Sequence, residues 1–529
     1  MKEPIDILKK YNKIPKIYRY TFWCTFFVGM LAHLYILTNK LPTFDDMLCL
    51  NSFGGSFGLG RWFLGVLGLA KYKILGNYSM PMLNGTLAIL LVALFACLIN
   101  KILENDNILV AMLMGIILVV FPTIAGNLSF MFTGYYYSFS MVLLGVGILL
   151  ISKGRKVWIL VSGSFLLTLS LAIYQAYFPL GTGLLLIRLI LDTMKGDKCF
   201  SELFRKACWY FAGLLFGLLF YFSLNNLWLK IMHMEMVSHK GVNQMSQLPL
   251  QELPRRISLT YRAFFEMLSE NYYGITGNIW IRLTVILLLA GTILILGKRS
   301  VCLIKEKKYL VFALLWAFIL LFPIGIHSIY IMVEEQYLYT LMIYADVLLF
   351  IFPLVLCEEN IRFEKKKNEV SRAICILNWL VTSAVIFSGI FYIYQDNAAY
   401  LEAELSLSAT KSYYTTLITQ IKSMEGYRED MEVVLIGENQ DSTIYEIRKE
   451  FFQDVEVGGI YETDRVVRGI DKGRFMKYYC GYDQKVTEDD SELDSAEWQD
   501  MPDYPNDGSI KIVDNKIIVK FSDEKEDKL

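Results

Sequence analysis

The residues best suited to chemistry are two adjacent carboxylates followed by a cation. Asp45 and Asp46 come just after the first long apolar segment, and Gly60, Arg61 and Trp62 follow in the same loop. A carboxylate can take a proton from a hydroxyl, and a guanidinium recognises phosphate through parallel hydrogen bonds. Together they suit the transfer of a group from a phosphate to a hydroxyl. Because neighbouring side chains diverge on a helix, we expect one aspartate to act as the base and the other to position groups or bind a metal.

Each of these residues also has a structural interpretation. Aspartates favour helix N-caps, so the doublet could simply cap a short helix at the membrane surface. Arg61 and Trp62 could anchor the chain at the interface between lipid and water. The position of the doublet at the outer end of the first apolar segment favours the chemical role.

Aromatic and amide residues follow later apolar segments. Tyr136 lies in an aromatic stretch from Asn127 to Tyr137, and Tyr174 is followed directly by Gln175. Such side chains suit a sugar site, where rings stack on a sugar and amides hydrogen-bond to it. They are equally typical of the aromatic belts of membrane proteins, so both interpretations stay open.

Charged candidates occur near the ninth and tenth apolar segments and in a long polar loop. His327 could bind phosphate or a metal, or be a structural histidine, and Glu335 belongs to an acidic pair that could be a second site or a solvated loop. Asp346 lies within the tenth segment, where an ionisable residue is a functional candidate by default. Arg255 and Arg256 could bind a diphosphate or a lipid headgroup, or begin a solvated helix.

Apolar segments must position these residues, because the composition is that of a membrane protein. Of the 529 residues, 55% are hydrophobic, and the mean hydropathy is +0.41. The apolar residues occur in blocks of about 20, which is enough to cross ~30 Å of hydrocarbon. The net charge of −1 gives no basic field, so nucleic acid is not expected as a partner. The sequence predicts an α-helical polytopic membrane protein.

We predict about eleven transmembrane helices with the N-terminus inside. They are placed at residues 20–38, 81–99, 108–122, 130–151, 157–174, 178–191, 207–229, 280–297, 309–328, 338–356 and 373–393. The loops assigned to the inside contain 24 Lys and Arg residues, and the loops assigned to the outside contain 9. This asymmetry satisfies the positive-inside rule.

The layout predicts three parts. Residues 1–19 form a basic cytoplasmic N-terminus ahead of an uncleaved signal anchor, residues 20–395 the transmembrane domain, and residues 396–529 a small extracytoplasmic α/β domain. In the last part we expect helices at 398–425 and 441–452, a strand at 432–437 and a solvated acidic loop at 488–507. The alternating segment 509–521 has Asp-Asn at its centre, which predicts a β-hairpin.

An N-inside multispan chain with an acidic doublet in its first outside loop resembles the GT-C class of membrane glycosyltransferases. The doublet, the Gly60-Arg61-Trp62 segment, the aromatic patch at 129–137 and the segment at 174–176 together resemble, more narrowly, the GtrII-like glucosyltransferase family of bacteria. The resemblance covers about residues 20–395.

The resemblance implies a polyprenyl-phosphate sugar donor, often of glucose, and a cell-surface glycan acceptor outside the cytoplasmic membrane. It also implies that Asp45 or Asp46 is the catalytic base and that Arg61 contacts the donor phosphate. The remaining candidates are donor-phosphate ligands (Arg255, Arg256) and substrate ligands (Trp62, Tyr136, Tyr174, Gln175, His327, Glu335). No cofactor follows from the sequence, and a divalent cation is left open.

Two alternatives stay open at this point. A transporter or flippase of a lipid-linked sugar would place ionisable residues near the membrane midplane and show repeat symmetry, whereas most polar candidates lie at the outer face. A glycan polymerase or ligase would use a diphosphate-linked donor, for which Arg255 and Arg256 would be the natural site.

Overall fold

The protein is described by a computed structural model over residues 11, 13–41, 43–50, 57–237, 250–334, 338–367, 371–437, 471–488 and 498–523. The described part of the chain is mostly helical, with a small sheet near the C-terminus. The expected helix at 441–452, most of the acidic segment and Glu335 lie outside the described residues.

The helices of the described residues are numbered here in chain order. They are α1 (Lys16–Ala32), α2 (Leu34–Thr38), α3 (Phe44–Leu48), α4 (Trp62–Leu75), α5 (Pro81–Leu103), α6 (Ile108–Val120), α7 (Pro122–Ser129), α8 (Gly134–Lys153), α9 (Val157–Leu171), α10 (Phe178–Lys195), α11 (Phe200–Ile231), α12 (Leu253–Ser269), α13 (Ile279–Lys305), α14 (Tyr309–Ile326), α15 (Ile329–Met332), α16 (Leu348–Lys367), α17 (Arg372–Ser423) and α18 (Lys472–Cys480). Short 3₁₀ turns occupy Phe57–Leu59, Gln175–Tyr177, Leu250–Glu252, Thr340–Met342 and Tyr344–Val347.

Within the described ranges, seven helices are long and apolar enough to cross a membrane. They are α5, α8, α10 with the turn before it, α11, α13, α14 and α17. The pair α6 and α7, bent by 43° at its break, would be an eighth. These eight coincide with eight of the eleven expected spans.

The other three expected spans correspond to shorter or interrupted helices. The first is divided at His33 into α1 and α2, and the fifth is α9, with 15 residues. The tenth begins with 3₁₀ turns, and its helix α16 starts only at Leu348. Hydropathy detects an apolar block, but it does not show where the helix is interrupted and its backbone groups bond to side chains instead.

The helices pack as one bundle around an apolar core. On one side, α1 packs against α5 and α6, while α5, α8, α9 and α11 pack in succession. On the other side, α13 packs against α16 and α17, and α10 packs against α14 and α16. One large buried hydrophobic cluster runs through all of these helices.

Helix breaks from three parts of the chain meet in this core. One lies between α6 and α7, the second precedes α10, and the third is the 3₁₀ segment at 338–347. The ring of Tyr344 lies 6.0 Å from that of Phe121 and 6.0 Å from that of Tyr177, so each break contacts the third. Non-helical backbone inside a membrane bundle is tolerated only where protein buries it or where it lines a cavity. The meeting point is therefore a natural place for a site.

The C-terminal region begins as a direct continuation of the bundle. Helix α17 runs without a break for 52 residues, or ~78 Å at 1.5 Å per residue. The domain boundary expected after residue 395 therefore falls inside a helix. The predicted strand and hairpin are present as β1 (Glu432–Ile436), β3 (Ile510–Val513) and β4 (Lys516–Lys520).

The sheet has the order β2-β1-β4-β3, with β2 at Val486–Thr487. Strand β1 is parallel to β2 and β4, while β3 and β4 form an antiparallel hairpin. Its two turn residues, Asp514 and Asn515, both have positive φ, of 45° and 66°. That conformation is characteristic of two-residue hairpin turns and explains the Asp-Asn pair.

Candidate active site

The backbone before Arg61 is fixed by two side chains that are distant in sequence, one from the 3₁₀ turn before α10 and one from α11. Gln175 Nε2 donates to the Leu59 carbonyl at 2.9 Å, and Tyr221 Oη donates to the Gly60 carbonyl at 3.1 Å. Gly60 has φ +73°, and a Cβ there would lie 2.5 Å from Tyr221 Oη. Only glycine satisfies both conditions. The turn therefore holds Arg61 in one position at the start of α4.

The guanidinium of Arg61 lies among tyrosines. Its Nη1 donates to Tyr137 Oη at 3.3 Å, and its Cζ lies 5.2 Å from the ring centre of Tyr174. The Tyr137 and Tyr174 rings stack at 4.5 Å, and Tyr174 Oη donates to the Leu341 carbonyl in the third helix break. We define the Arg61 cluster as Arg61, Tyr137, Tyr174, Gln175, Tyr221 and Tyr339, the last being near enough to act on Arg61 electrostatically.

Arg61 has no carboxylate partner among the described residues. Within the same ranges its Nε atom is buried and has no hydrogen-bond partner, although the residue as a whole is partly exposed. A guanidinium has five donors, and leaving such donors without an acceptor away from water is costly. The arrangement is therefore suited to an anion that presents several oxygens.

The two aspartates of the doublet have different environments on the short helix α3. Asp46 is fully buried, and its carboxylate accepts from Lys40 Nζ, from Ser79 Oγ and, at 3.3 Å, from the Phe132 N–H. Burial lowers the pKa of Lys40 to about 7, while the adjacent carboxylate favours its charged form. Asp45 is exposed. The expected divergence of the two side chains is present.

The doublet and Arg61 are held by opposite ends of one short segment. The N–H of Phe132 contacts Asp46, and five residues later the hydroxyl of Tyr137 contacts Arg61. This segment is the junction of α7 and α8. The acidic and basic candidates therefore lie at the same end of the bundle.

Trp62 and Tyr136 lie beside the cluster and not in it. Trp62 is 6% exposed and stacks on Trp228 with ring centres 5.8 Å apart, so it packs inside the protein. Tyr136 packs on Tyr135 at 4.1 Å. Of the three consecutive tyrosines, Tyr137 is the one that contacts Arg61.

His327 and Asp346 form a buried pair elsewhere in the bundle. His327 Nε2 lies 2.9 Å from Asp346 Oδ1, and both side chains are 1% exposed. The rings of Phe264, Tyr272 and Tyr330 surround the histidine at 6.1–6.3 Å. In the described ranges, neither residue hydrogen-bonds to the Arg61 cluster.

The two arginines of the long polar loop are also separate from the cluster. Arg255 is exposed at the start of α12. Arg256 Nη2 lies 3.4 Å from Glu252 and 3.8 Å from Glu334, so carboxylates already accompany its charge. Neither arginine hydrogen-bonds to the Arg61 cluster within the part of the chain that the structure describes.

Comparison with protein families decides what kind of enzyme carries this site. The model of the family described as glucosyl transferase GtrII matches residues 34–350, more than half of the chain. The chain belongs to the GtrII glucosyltransferase family. It is therefore a glycosyltransferase, as the sequence analysis predicted. No curated protein and no solved structure was found to match the chain.

The GtrII match includes the acidic doublet and the whole Arg61 cluster. It ends at residue 350, the third residue of α16, so α17 and the sheet lie beyond it. The matched range is narrower than the expected 20–395.

Several residues of the candidate site are not predicted from the sequence. Tyr221 could have been noticed as a polar group within an apolar span, and Lys40 as a cation near the doublet. Tyr137 was named only as the end of an aromatic stretch. Nothing in the sequence singles out Ser79 or Tyr339, because their contacts depend on how distant segments pack.

A groove of about 580 Å³ opens near the site at the C-terminal end of α11. It is lined by Asn226, Leu229, Lys230, His233, Met234 and Glu235. The Val237 N–H donates to the Gly58 carbonyl at 2.9 Å, so this segment touches the turn that precedes Arg61. Among the described residues, no group of three or more His, Cys, Asp or Glu side chains could hold a metal ion.

Proposed function

We propose that this GtrII-family enzyme transfers a glucosyl unit from a polyprenyl phosphate to a hydroxyl of a surface glycan, outside the cytoplasmic membrane and with inversion. The observation that carries the proposal is the Arg61 cluster. It presents a guanidinium that is paired with tyrosines instead of carboxylates, at one end of a bundle of apolar helices.

The surroundings of Arg61 suit a lipid-borne phosphate. Phosphate oxygens would satisfy the guanidinium donors that have no acceptor, and charge-assisted hydrogen bonds of this kind are stronger than neutral ones. The prenyl chain would lie among the apolar helices, so the enzyme would not need to extract its donor from the bilayer. The stacked rings of Tyr137 and Tyr174 hold the guanidinium in position for the phosphate.

The reaction needs one base and one stabilised leaving group. The acceptor oxygen attacks the anomeric carbon, and the bond from that carbon to the phosphate oxygen breaks. The bonding electron pair leaves with the phosphate, whose growing negative charge Arg61 would stabilise. The hydroxyl proton passes to an aspartate. A single displacement inverts the anomeric configuration.

We assign the base to Asp45 and a positioning role to Asp46. Asp46 is fully buried and already accepts from Lys40, Ser79 and Phe132. A carboxylate so occupied is poorly placed to take a proton from an incoming sugar. The Asp45 carboxylate is exposed, where an acceptor from water could reach it.

We infer that the site faces the outside from the distribution of Lys and Arg residues between the two sides of the membrane. The loops on the side of the doublet carry far fewer Lys and Arg residues than those on the opposite side, 9 against 24. A cysteine placed at Asp45 should react with a membrane-impermeant maleimide added to intact cells. Reaction only after lysis would contradict the orientation.

The activity test is transfer in proteoliposomes, with glucose supplied on polyprenyl phosphate, polyprenyl diphosphate or a nucleotide. We expect turnover with the monophosphate, loss of turnover in Asp45→Asn with an unchanged thermal midpoint, and loss of both turnover and stability in Asp46→Asn. The matched control is Asp106→Asn, an exposed aspartate at the other end of α5, which should behave as the parent.

Each other outcome contradicts a separate part of the proposal. A preference for the diphosphate would favour a polymerase or ligase, and turnover with the nucleotide alone would remove the lipid donor. Full turnover in Asp45→Asn would remove the base assignment. Sugar crossing the bilayer without a new glycosidic bond would favour transport.

A further inference from the structure

The helix that carries the acidic doublet is shared between two cores. Met47 directly follows Asp46, yet it is 1% exposed and belongs to the hydrophobic core of the C-terminal region. The same core contains Tyr414 of α17 and Phe475 and Met476 of α18. Helices α3 and α18 are in direct contact. The doublet therefore lies at the interface of the bundle and the C-terminal region.

Helix α3 has five residues and cannot hold its own position. Helix nucleation is unfavourable and short helices are marginal alone, so the contacts on its faces must place it. On one face Asp46 binds the bundle, and on another Met47 enters the C-terminal core. Leu50 also packs on that core, and its carbonyl accepts from the N–H of Ser79, whose side chain binds Asp46.

The C-terminal core is attached rigidly to the bundle. Tyr400 Oη lies 2.7 Å from His33 Nδ1, and Asn397 Nδ2 donates to the Ala32 carbonyl at 2.8 Å, so α17 is bound to the end of α1. The same uninterrupted helix reaches Tyr414, 14 residues further on, which is ~21 Å. The core that receives Met47 is therefore at a fixed distance from the bundle.

We propose that the C-terminal region, which lies beyond the family match, positions the acidic doublet for transfer, and that Met47 is the positioning residue through which it acts. The proposal rests on the function proposed above. It gives a role to α17, α18 and the sheet that the chemistry of transfer alone does not require.

The first test compares Met47→Ala with Met47→Leu in the full chain in nanodiscs. A misplacement of about 1 Å can cost as much as 100-fold in rate. We therefore expect kcat to fall at least tenfold in Met47→Ala, with little change in the KM for the donor, which binds at Arg61. Leucine should restore most of the rate. The matched control is Met82→Ala, because Met82 is 52% exposed on α5.

The second test changes the C-terminal core instead of α3. Met476→Ala shortens a buried side chain of the C-terminal core that Met47 enters and leaves the sequence of α3 unchanged. We expect the same pattern of lowered kcat with nearly constant donor KM. The double variant should lose no more than the worse of the two single variants, since both loosen the same core.

A third readout does not depend on activity. Cys49 is half-buried at the end of α3, and burial together with the Asp45 carboxylate raises its pKa to about 11. Alkylation of Cys49, followed by peptide mapping, should be slow in the parent and several times faster in Met47→Ala and Met476→Ala. The Met82→Ala control should match the parent.

The outcomes separate the two proposals. If the parent transfers sugar and Met47→Ala keeps both its kcat and its slow alkylation, the positioning role is wrong. If Met47→Ala loses kcat while Met476→Ala keeps it, the C-terminal region is not the source of the effect. If the parent transfers nothing with any donor, the proposed function fails, and the alkylation rates still decide whether Met47 holds α3.

Discussion

Two arginines near helix α10 illustrate opposite uses of a charge inside a membrane bundle. Arg188 lies on α10 about 15 Å from its first residue, and its Nη2 contacts Asp192 at 2.7 Å and Glu104 at 2.6 Å. Arg61 contacts Tyr137 of α8 and Tyr174, which lies four residues before the opposite end of α10.

The difference is whether the protein supplies the counter-charge. Asp192 is fully buried and contacts Lys198 and Lys206 as well as Arg188, so cations and carboxylates alternate at that end. Such a network is complete without a ligand. The Arg61 cluster instead surrounds its cation with rings and hydroxyls, and an anion from outside would complete it. We infer that an arginine without a carboxylate in its described surroundings is a better candidate for binding an anion than an arginine that is merely buried.

Between the two arginine clusters, the largest effect on transfer should come from Arg61→Gln. Removing one charge-stabilising donor typically costs about 100- to 1,000-fold in rate, so we expect transfer to fall at least 100-fold in kcat/KM. The thermal midpoint should hold or rise, since an uncompensated charge is removed. Arg61→Lys keeps the charge but loses the paired donors, and should weaken donor use more than acceptor use. A normal KM for the donor in both variants would contradict the phosphate contact.

Variants of the Arg188–Asp192 cluster should lose stability and keep activity. Asp192→Asn leaves Arg188 and two lysines without a buried partner, which should cost about 3 kcal/mol of stability. Transfer per folded molecule should match the parent, because no residue of the Arg61 cluster is touched. Thermal unfolding in detergent and turnover normalised to folded protein measure the two quantities. A stable but inactive Asp192→Asn would show that the distinction between the clusters is wrong.

A smaller effect is expected from the hydroxyl that Arg61 contacts. Tyr137→Phe removes the acceptor at 3.3 Å from Nη1 but keeps the ring that stacks on Tyr174. One such hydrogen bond contributes about 1 kcal/mol, or roughly fivefold. We expect that loss in kcat/KM for the donor. Tyr136→Phe is the matched control and should be silent, and equal losses in the two variants would argue against a specific role for Tyr137.

The sequence predicts part of the Arg61 cluster but not the cluster around Arg188. The residue types of Arg61, Tyr174 and Gln175 predict a site for a phosphorylated sugar, and the structure brings the three together. Arg188 lies in the sixth predicted span, 178–191, and Asp192 is the first residue after it, and neither is a candidate from its residue type and position alone. Their pairing depends on lysines beyond the end of the helix and on Glu104 from another helix, which no local pattern reveals.

The apolar blocks are predicted better from the sequence than the points at which individual helices begin and end. Hydropathy found every apolar block, but the helix breaks at His33 and at 338–347 arise from tertiary hydrogen bonds that a hydropathy average cannot detect. Conversely, the polar surface of α17 after residue 395 suggested a new domain, whereas the helix continues because its other face stays buried. The buried residues of α17 keep helical spacing across that change in composition, so periodicity predicts the continuous helix better than composition does.

The smallest expected effect is a pH dependence at the Arg188 end. Burial alone would raise the pKa of Glu104, but Arg188 and Lys195 outweigh it and hold the pKa below its usual 4.5. Because the folded pKa lies below the unfolded one, Glu104 stabilises the fold fully above pH 4.5, and this contribution is lost as the pH falls through the folded pKa. The effect is modest because the side chain is 42% exposed. Thermal midpoints of the parent and Glu104→Gln should therefore differ at pH 7 and converge toward pH 3, and a constant difference would show that Glu104 is not paired with Arg188.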